Sequence, residues 1–364
     1  MSKPERILIT GHNGYIGSVM APWFIRAGYR VTGLDTGYFR QCTLVQDQVS
    51  VPAIQKDLRD LEPADLKGFD AVIHLAALSN DPIGNLNEGW TEEINYRGSV
   101  RLAELARAAG VRRFLFSSSC IMYGMSEVTV VNEESPLDPK TEYARSKVKG
   151  EQAISELACD HFSPTFLRNG TVYGLSPRMR FDTVFNDLMG SAVTSGKITL
   201  YSDGKPWRPV VHVQDVARSF LAVLEAPLAD VHNQAFNNGS DQLNHQVIQL
   251  AEIVAETVPG CELEVLAQAG ADQRTYKSDF GKFARTFPNF EFEWTPKKGA
   301  QELYEAFRAI GLAHDDFKDK RFTRLKWLRH LLDTGMLNDS LRWNQGWGGA
   351  GLDERYQGDS AALI

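Results

Sequence analysis

Arg6-Ile7-Leu8-Ile9-Thr10-Gly11-His12-Asn13-Gly14-Tyr15-Ile16-Gly17 is the stretch whose reading decides the fold. A short apolar run of strand length passes straight into three glycines. The residues after Gly17, through Trp23, Phe24 and Ile25 to Gly28, then read as a helix. In a strand, turn and helix of this kind, one glycine permits the tight bend and another lets the backbone approach a pyrophosphate. The third lets the helix pack closely on the strand. The helix N-terminus turns N–H groups and partial positive charge toward the phosphates. Glycines also mark ordinary loops, so the neighbouring segments have to separate the two readings.

They do so in the next strand. The apolar run over 29–34 ends in Asp35. A carboxylate roughly 20 residues beyond the loop hydrogen-bonds the adenosine ribose and repels a 2′-phosphate, so NAD is expected rather than NADP. The other reading of Asp35 is a turn aspartate before Gly37. Further on, Asp57 and Leu58 follow another strand; Asp57 is either an adenine contact or a solvated loop acid.

Strands and helices alternate to about residue 175. Residues 70–77 read as a buried parallel strand, 90–109 as a helix, 113–119 as a strand, 142–157 as a helix and 164–168 as a strand. This pattern predicts an α/β fold, a Rossmann-type doubly wound parallel sheet whose ligands sit outside the carboxyl ends of the strands. With 364 residues the chain is long enough for one large domain and a smaller one.

Composition narrows the partners. A net charge of −7 argues against nucleic acid, whose phosphate backbone needs a basic face. A small anionic ligand needs only a local basic pocket. The N-terminus enters the first strand with no room for a signal peptide, and no apolar run approaches membrane-spanning length, so a cytoplasmic protein without membrane partners is expected. Cys42, Cys120, Cys159 and Cys261 have no metal-type spacing and read as reduced thiols, and no metal site is expected.

The chemistry lies in Tyr143-Ala144-Arg145-Ser146-Lys147. Oxidising an alcohol requires a base within reach of its hydroxyl proton. A phenol titrates near pH ~10 and is a poor base at neutrality. Lys147, one helical turn on and on the same face, favours the phenolate. It is also expected to hold the nicotinamide ribose. Ser119, at a strand end, would orient the reacting oxygen or relay its proton. The competing reading is an exposed Tyr/Lys pair without consequence.

Gly11-x-x-Gly14-x-x-Gly17, Ser117-Ser118-Ser119-Cys120-Ile121-Met122-Tyr123-Gly124 and Tyr143-x-x-x-Lys147 together resemble the extended short-chain dehydrogenase/reductase family, and within it the nucleotide-sugar epimerases and dehydratases. The resemblance runs from residue 5 to about 285. It implies Ser119, Tyr143 and Lys147 as the catalytic group. It also implies a cofactor pocket of Gly11, Asn13, Gly14, Tyr15, Ile16, Gly17, Asp35, Asp57, Leu58, Leu75, Ala76, Ala77 and Asn95, with Tyr143 and Lys147 touching the cofactor as well. Asn95 matches a family asparagine that supports the helix carrying Tyr143 and Lys147. The implied domains are 1–175 with 209–238 returning to it, 176–208 with 239–300 for substrate, and a helical extension with a tail over 301–364. A homodimer through the helices at 90–109 and 142–157 is implied by analogy.

For the substrate, a nucleotide-diphosphate sugar, the resemblance points to Ser79, Ser119, Cys120, Asn169, Thr171, Arg180, Arg208 and Arg274. Thr171 stands where many epimerases have a diphosphate-binding asparagine. Arg208 is the first choice for a diphosphate oxygen and Arg274 the second, since a planar guanidinium suits phosphate. Arg178 and Arg180 are either further candidates or solvated loop residues. His74 and His212 read as structural, and Cys120 as an inert buried thiol. The basic amphipathic segment over 317–337 is expected to be one helix packed on the body or on a neighbouring subunit, with a membrane surface as the alternative. The family's 4,6-dehydratases carry an acid pair after the catalytic hydroxyl residue, where this chain has Cys120 and Ile121. The expected reaction is therefore C4 epimerisation through a 4-keto sugar. The alternative is a 4-keto nucleotide-sugar reductase, and a non-catalytic NAD-binding regulator is a more distant one.

Overall fold

The computed structural model describes residues 5–46, 49–79, 86–124, 130–267 and 275–346. Seven parallel strands form its centre: β1 (Arg6–Thr10), β2 (Arg30–Asp35), β3 (Ala53–Gln55), β4 (Ala71–His74), β5 (Arg113–Ser119), β6 (Ser163–Asn169) and β10 (Gln234–Asn238). Their order across the sheet is β10-β6-β5-β4-β1-β2-β3, so the winding direction reverses between β1 and β4.

Apolar residues on successive positions cover both faces. Ile7, Ile9, Ile73 and Leu115 pack with Met20 and Phe24 of α1 (Gly17–Arg26) and with Val216 and Phe220 of α5 (Val213–Glu225). Leu8, Val72, Phe114 and Phe116 face Leu102 and Ala106 of α2 (Gly98–Ala108) and Ile154 of α3 (Glu142–Ser155). Burial on both faces explains why these strands are continuously apolar rather than alternating.

A smaller layer lies beyond the sheet. β7 (Thr171–Tyr173), β9 (Trp207–His212) and β11 (Asn244–Gln246) form one short sheet, and β8 (Lys197–Leu200) pairs with β12 (Glu262–Val265). Their core is shared with α4 (Val184–Ser195), α6 (Val247–Thr257) and α7 (Pro296–Ala309) through Phe185, Met189, Leu250, Val254, Leu303 and Phe307. Trp207–His212 pairs within this small sheet, while its Val211 packs in the core of the large one and Val213 in that of the small layer.

Two expected helices are interrupted. The segment at 90–109 contains a π-type turn over Glu92–Arg97 before α2. There the Asn95 side chain leaves the helix to grip Leu78, accepting its N–H at 2.8 Å and donating to its carbonyl at 3.0 Å. Such turns accommodate a side chain that must aim elsewhere. The segment at 317–337 breaks after Lys318, where Asp319 caps the Arg321 N–H at 2.8 Å, and helix resumes as α8 (Arg324–Asp333). Trp327, Leu328 and Leu331 of α8, with Leu337 and Leu341 after it, bury Tyr38, Cys42, Leu78 and Ile94, so this extension packs on the body of its own chain.

Candidate active site

A cleft of ≈ 440 Å³ opens outside the carboxyl ends of the central strands, at the reversal of strand order. The glycine loop between β1 and α1 forms its floor. Gly11 has φ +72°, and a Cβ there would lie 2.8 Å from the Ala76 nitrogen; one on Gly17 would lie 2.2 Å from the Gly11 oxygen. No side chain fits at either position, so the loop closes tightly and leaves its cleft side to backbone, as a pyrophosphate requires.

Asp35 stands at the end of β2 on the cleft wall. One oxygen accepts the Asn13 N–H at 3.1 Å and the other the Gly37 N–H at 2.7 Å. A carboxylate has about four acceptor sites, so this fixed group keeps capacity for a ribose diol. Leu75, Ala76, Ala77 and Leu78, following β4, line the middle. The set fits a dinucleotide: a cradle without side chains for phosphate, an oriented carboxylate for ribose and an apolar wall.

The far end carries the reactive side chains. Ser119 ends β5, and its Oγ accepts the Ile121 N–H at 3.3 Å. Thr141 caps α3 by accepting the Ala144 N–H at 3.2 Å, which sets Tyr143 in the first turn and on the cleft wall. Lys147 follows one turn later and is only 2% exposed. Its Nζ donates to the Ser117 carbonyl at 2.8 Å, 4.6 Å from the Phe116 ring centre and 5.7 Å from that of Tyr143. Burial lowers its pKa to about 8. The ammonium thus lies beneath the phenol instead of lining the cleft. The buried pair Glu151–Arg168, 2.7 Å, ties the same helix to β6.

Among the expected substrate residues, Ser79, Asn169, Thr171, Arg180 and Arg208 line the cleft. Arg180 is buried, donates to Ser79 Oγ at 3.0 Å and pairs with Asp182 at 2.5 Å. Burial opposes its charge, but Asp182, with Tyr15 and Tyr143 nearby, holds its pKa above the usual range. Arg274 lies outside the described residues.

Several expectations need correction. Cys120 is fully buried behind the wall, its thiol directed to the Arg168 carbonyl at 3.1 Å, so it has no face for substrate. Asn13 and Asn95 do not line the cleft: Asn13 acts on Asp35, and Asn95 holds the wall residue Leu78. Asp57 lines the cleft, but its carboxylate is engaged by the Arg59 N–H and guanidinium and by Arg342 at 3.3 Å, a two-residue local capture that leaves little for adenine. The Asn169 side chain is drawn into cross-strand ties, donating to Ser117 Oγ at 3.0 Å and accepting from Asn238 at 2.8 Å.

The histidines are structural. His74 lies between Thr10 and Ser99 hydroxyls at 2.6 and 2.7 Å, and burial lowers its pKa to about 3. His212 contacts Glu302 at 2.8 Å and stacks on Trp294 at 3.9 Å. Among the described residues no three His, Cys, Asp or Glu side chains converge as metal ligands, and no helix is long and apolar enough to cross a membrane.

Tyr38, Phe39, Ile94, Asp182, Tyr276 and Arg324 also line the cleft. The aromatic pair three and four residues after Asp35 was a legible signal for the first two. Arg324 had none, because it arrives from the extension.

Comparison with known proteins agrees with this geometry. The chain is 28% identical over 317 residues to a UDP-glucose 4-epimerase of Corynebacterium glutamicum, covering 80% of this chain and 91% of that one. Two solved structures superpose over nearly their whole length. The UDP-glucose 4-epimerase of Thermus thermophilus, in complex with NAD, has a TM-score of 0.70 and 26% identity, with 83% of this chain and 99% of that one covered. MoeE5 in complex with UDP-glucuronic acid and NAD has a TM-score of 0.72 and 26% identity, with 84% and 99% covered. Residues 7–239 match the NAD dependent epimerase/dehydratase family, and the chain belongs to that family as an NAD-dependent enzyme.

Proposed function

We propose that this enzyme epimerises a nucleotide-diphosphate sugar at C4 through a transient 4-keto sugar. The observation that carries the proposal is the far end of the cleft, where Ser119 and Tyr143 face the same space, Lys147 lies beneath the phenol, and no acid follows Ser119. Cys120 is buried with its thiol pushed up to about 12 by burial, and Ile121 has no proton to give, so water elimination lacks the acid of a dehydratase.

In this reading the glycine loop, Asp35 and the wall over 75–77 hold NAD, which supplies the acceptor and donor of the C4 hydride. Tyr143 Oη takes the C4 hydroxyl proton and later returns it. Lys147 lowers the cost of the phenolate from 5.7 Å below the ring. Ser119 Oγ orients the reacting oxygen. Ser79, Thr171 and Arg180 surround the sugar, and Arg208, with Arg274, receives the diphosphate. A UDP-hexose is the first substrate to try, since the relatives named above are UDP-glucose 4-epimerases. A cytoplasmic homodimer, formed through the outer faces of α2 and α3, completes the proposal; sedimentation at micromolar concentration tests the dimer.

The test is the mass and chromatographic retention of products from a panel of nucleotide sugars and their 4-keto derivatives, with and without NADH. An epimerase gives unchanged mass and shifted retention without NADH. A gain of two hydrogens that requires NADH would make the enzyme a reductase, and loss of water would make it a dehydratase.

A further inference from the structure

The extension after α7 grips both loops that enclose the adenosine end of the cleft. Trp343 Nε1 donates to the Thr36 carbonyl at 2.7 Å, and Trp327 Nε1 to the Tyr38 carbonyl at 2.7 Å. The Tyr38 hydroxyl in turn donates to the Leu341 carbonyl. On the other loop, Arg59 donates to the Ser340 carbonyl at 2.7 Å, and Arg342 pairs with Asp57 and Asp60. Thr36, Tyr38 and Asp57 are themselves cleft residues, so the extension braces the wall directly.

It also sends one side chain through that wall. Arg324, the first residue of α8, lines the cleft and is 3% exposed. Its backbone N–H donates to Asp182 at 3.1 Å, which fixes where the helix starts. The guanidinium lies 4.6 Å over the Phe39 ring and donates to the Arg178 carbonyl at 2.7 Å and the Arg321 carbonyl at 3.5 Å. The counter-charge beside it is Asp182, which also pairs with the Arg180 side chain, so one carboxylate serves two buried guanidinium groups. A buried cation whose counter-charge is shared with a second cation is costly. It lines the same cleft as the glycine loop, where a helix N-terminus already favours an anion.

We propose that the extension is part of the cofactor site: Arg324 supplies a guanidinium to the diphosphate of NAD, and the strap over 324–343 holds the dinucleotide in place between turnovers. This rests on NAD as the cofactor and not on the epimerase reading, so it survives if the substrate proves to be another sugar or the reaction a reduction. A two-pronged arginine contact to a diphosphate oxygen contributes more than a neutral hydrogen bond, and its loss is expected to cost roughly tenfold or more in affinity.

The experiment is displacement of NADH fluorescence from the full-length protein by ADP-ribose and by adenosine, with UDP binding measured separately by isothermal titration calorimetry. Arg324→Met should weaken ADP-ribose about tenfold or more while leaving adenosine within about twofold and UDP unchanged. Unchanged ADP-ribose affinity overturns the proposal, and a loss confined to UDP would assign Arg324 to the sugar nucleotide instead. If Arg324→Met does not fold, Arg324→Gln keeps a donor for the Arg178 carbonyl while removing the charge, and the same readings apply. The strap is tested separately with Arg342→Ala, which leaves the cleft lining intact. Faster NADH release is expected, and an unchanged release rate would rule the strap out.

Discussion

At its sugar end the cleft is walled by rigid elements that follow one another in the chain: the end of β5 with Ser119 and the first turn of α3 with Tyr143, Lys147 lying beneath it. The buried Glu151–Arg168 pair fixes that helix to the sheet, and Lys147 is locked on a strand carbonyl. At its adenosine end the wall is two loops, at 36–39 and 57–60, braced by a segment 281 to 307 residues away in sequence, through indole and guanidinium donors on main-chain carbonyls. The first end is built for fixed geometry, because a proton transfer tolerates little displacement. The second is built for enclosure, where part-exposed contacts suffice and opening lets the ligand in and out. Activity should therefore respond to change at the first end, and cofactor retention to change at the second.

The largest effect is expected from Tyr143→Phe. Turnover of any accepted nucleotide sugar should fall about 10²–10⁴-fold while NADH still binds, as measured by initial rates and fluorescence titration. Full activity would remove the phenol as the proton-transfer group and with it the functional contrast between the two ends. Glu151→Ala leaves the Arg168 guanidinium buried without its partner and should cost about 3–5 kcal/mol in denaturant unfolding. Loss of Arg342, whose carboxylate partners are partly solvated, should cost less than about 1 kcal/mol. Equal losses would erase the distinction between a locked end and a braced one.

Smaller effects sharpen the division. Asp35→Ala should weaken NAD roughly tenfold and relax discrimination against NADP; unchanged binding of both would discredit the ribose contact. The Lys147 pKa, lowered by burial to about 8, sets a pH dependence. The ammonium is charged below pH 8 and neutral above it, so kcat/KM should fall as pH rises through 8. In Lys147→Arg that alkaline limb should move beyond the measurable range, with a reduced plateau. A parent profile flat to pH 9.5 would mean that this charge does not assist the reaction.

The contrast also explains what the sequence revealed. The central sheet was legible because strands buried on both faces are continuously apolar and alternate with amphipathic helices. The glycine loop, Asp35, Ser119 and the Tyr143/Lys147 pair were legible because each is a short motif on one element, and the structure brings all but Lys147 to one cleft, with Lys147 beneath Tyr143. Much of what was missed depends on contacts distant in sequence. Nothing local marks Asp57 as the partner of Arg342, or Cys120 as turned to the Arg168 carbonyl behind the wall. The break at Asp319 was hidden inside a segment whose apolar spacing continues across it. Indole donors on carbonyls, such as Trp343 on Thr36, leave no pattern at either end of the contact.

The central claim, reversible oxidation at C4 by an enzyme that keeps its NAD, is tested most directly with the accepted nucleotide sugar deuterated at C4 and no added cofactor. The account predicts an epimer of unchanged mass with the deuterium still at C4, formed over many turnovers by the protein as purified. Loss of the label from C4, or conversion only when NADH is supplied, would contradict it.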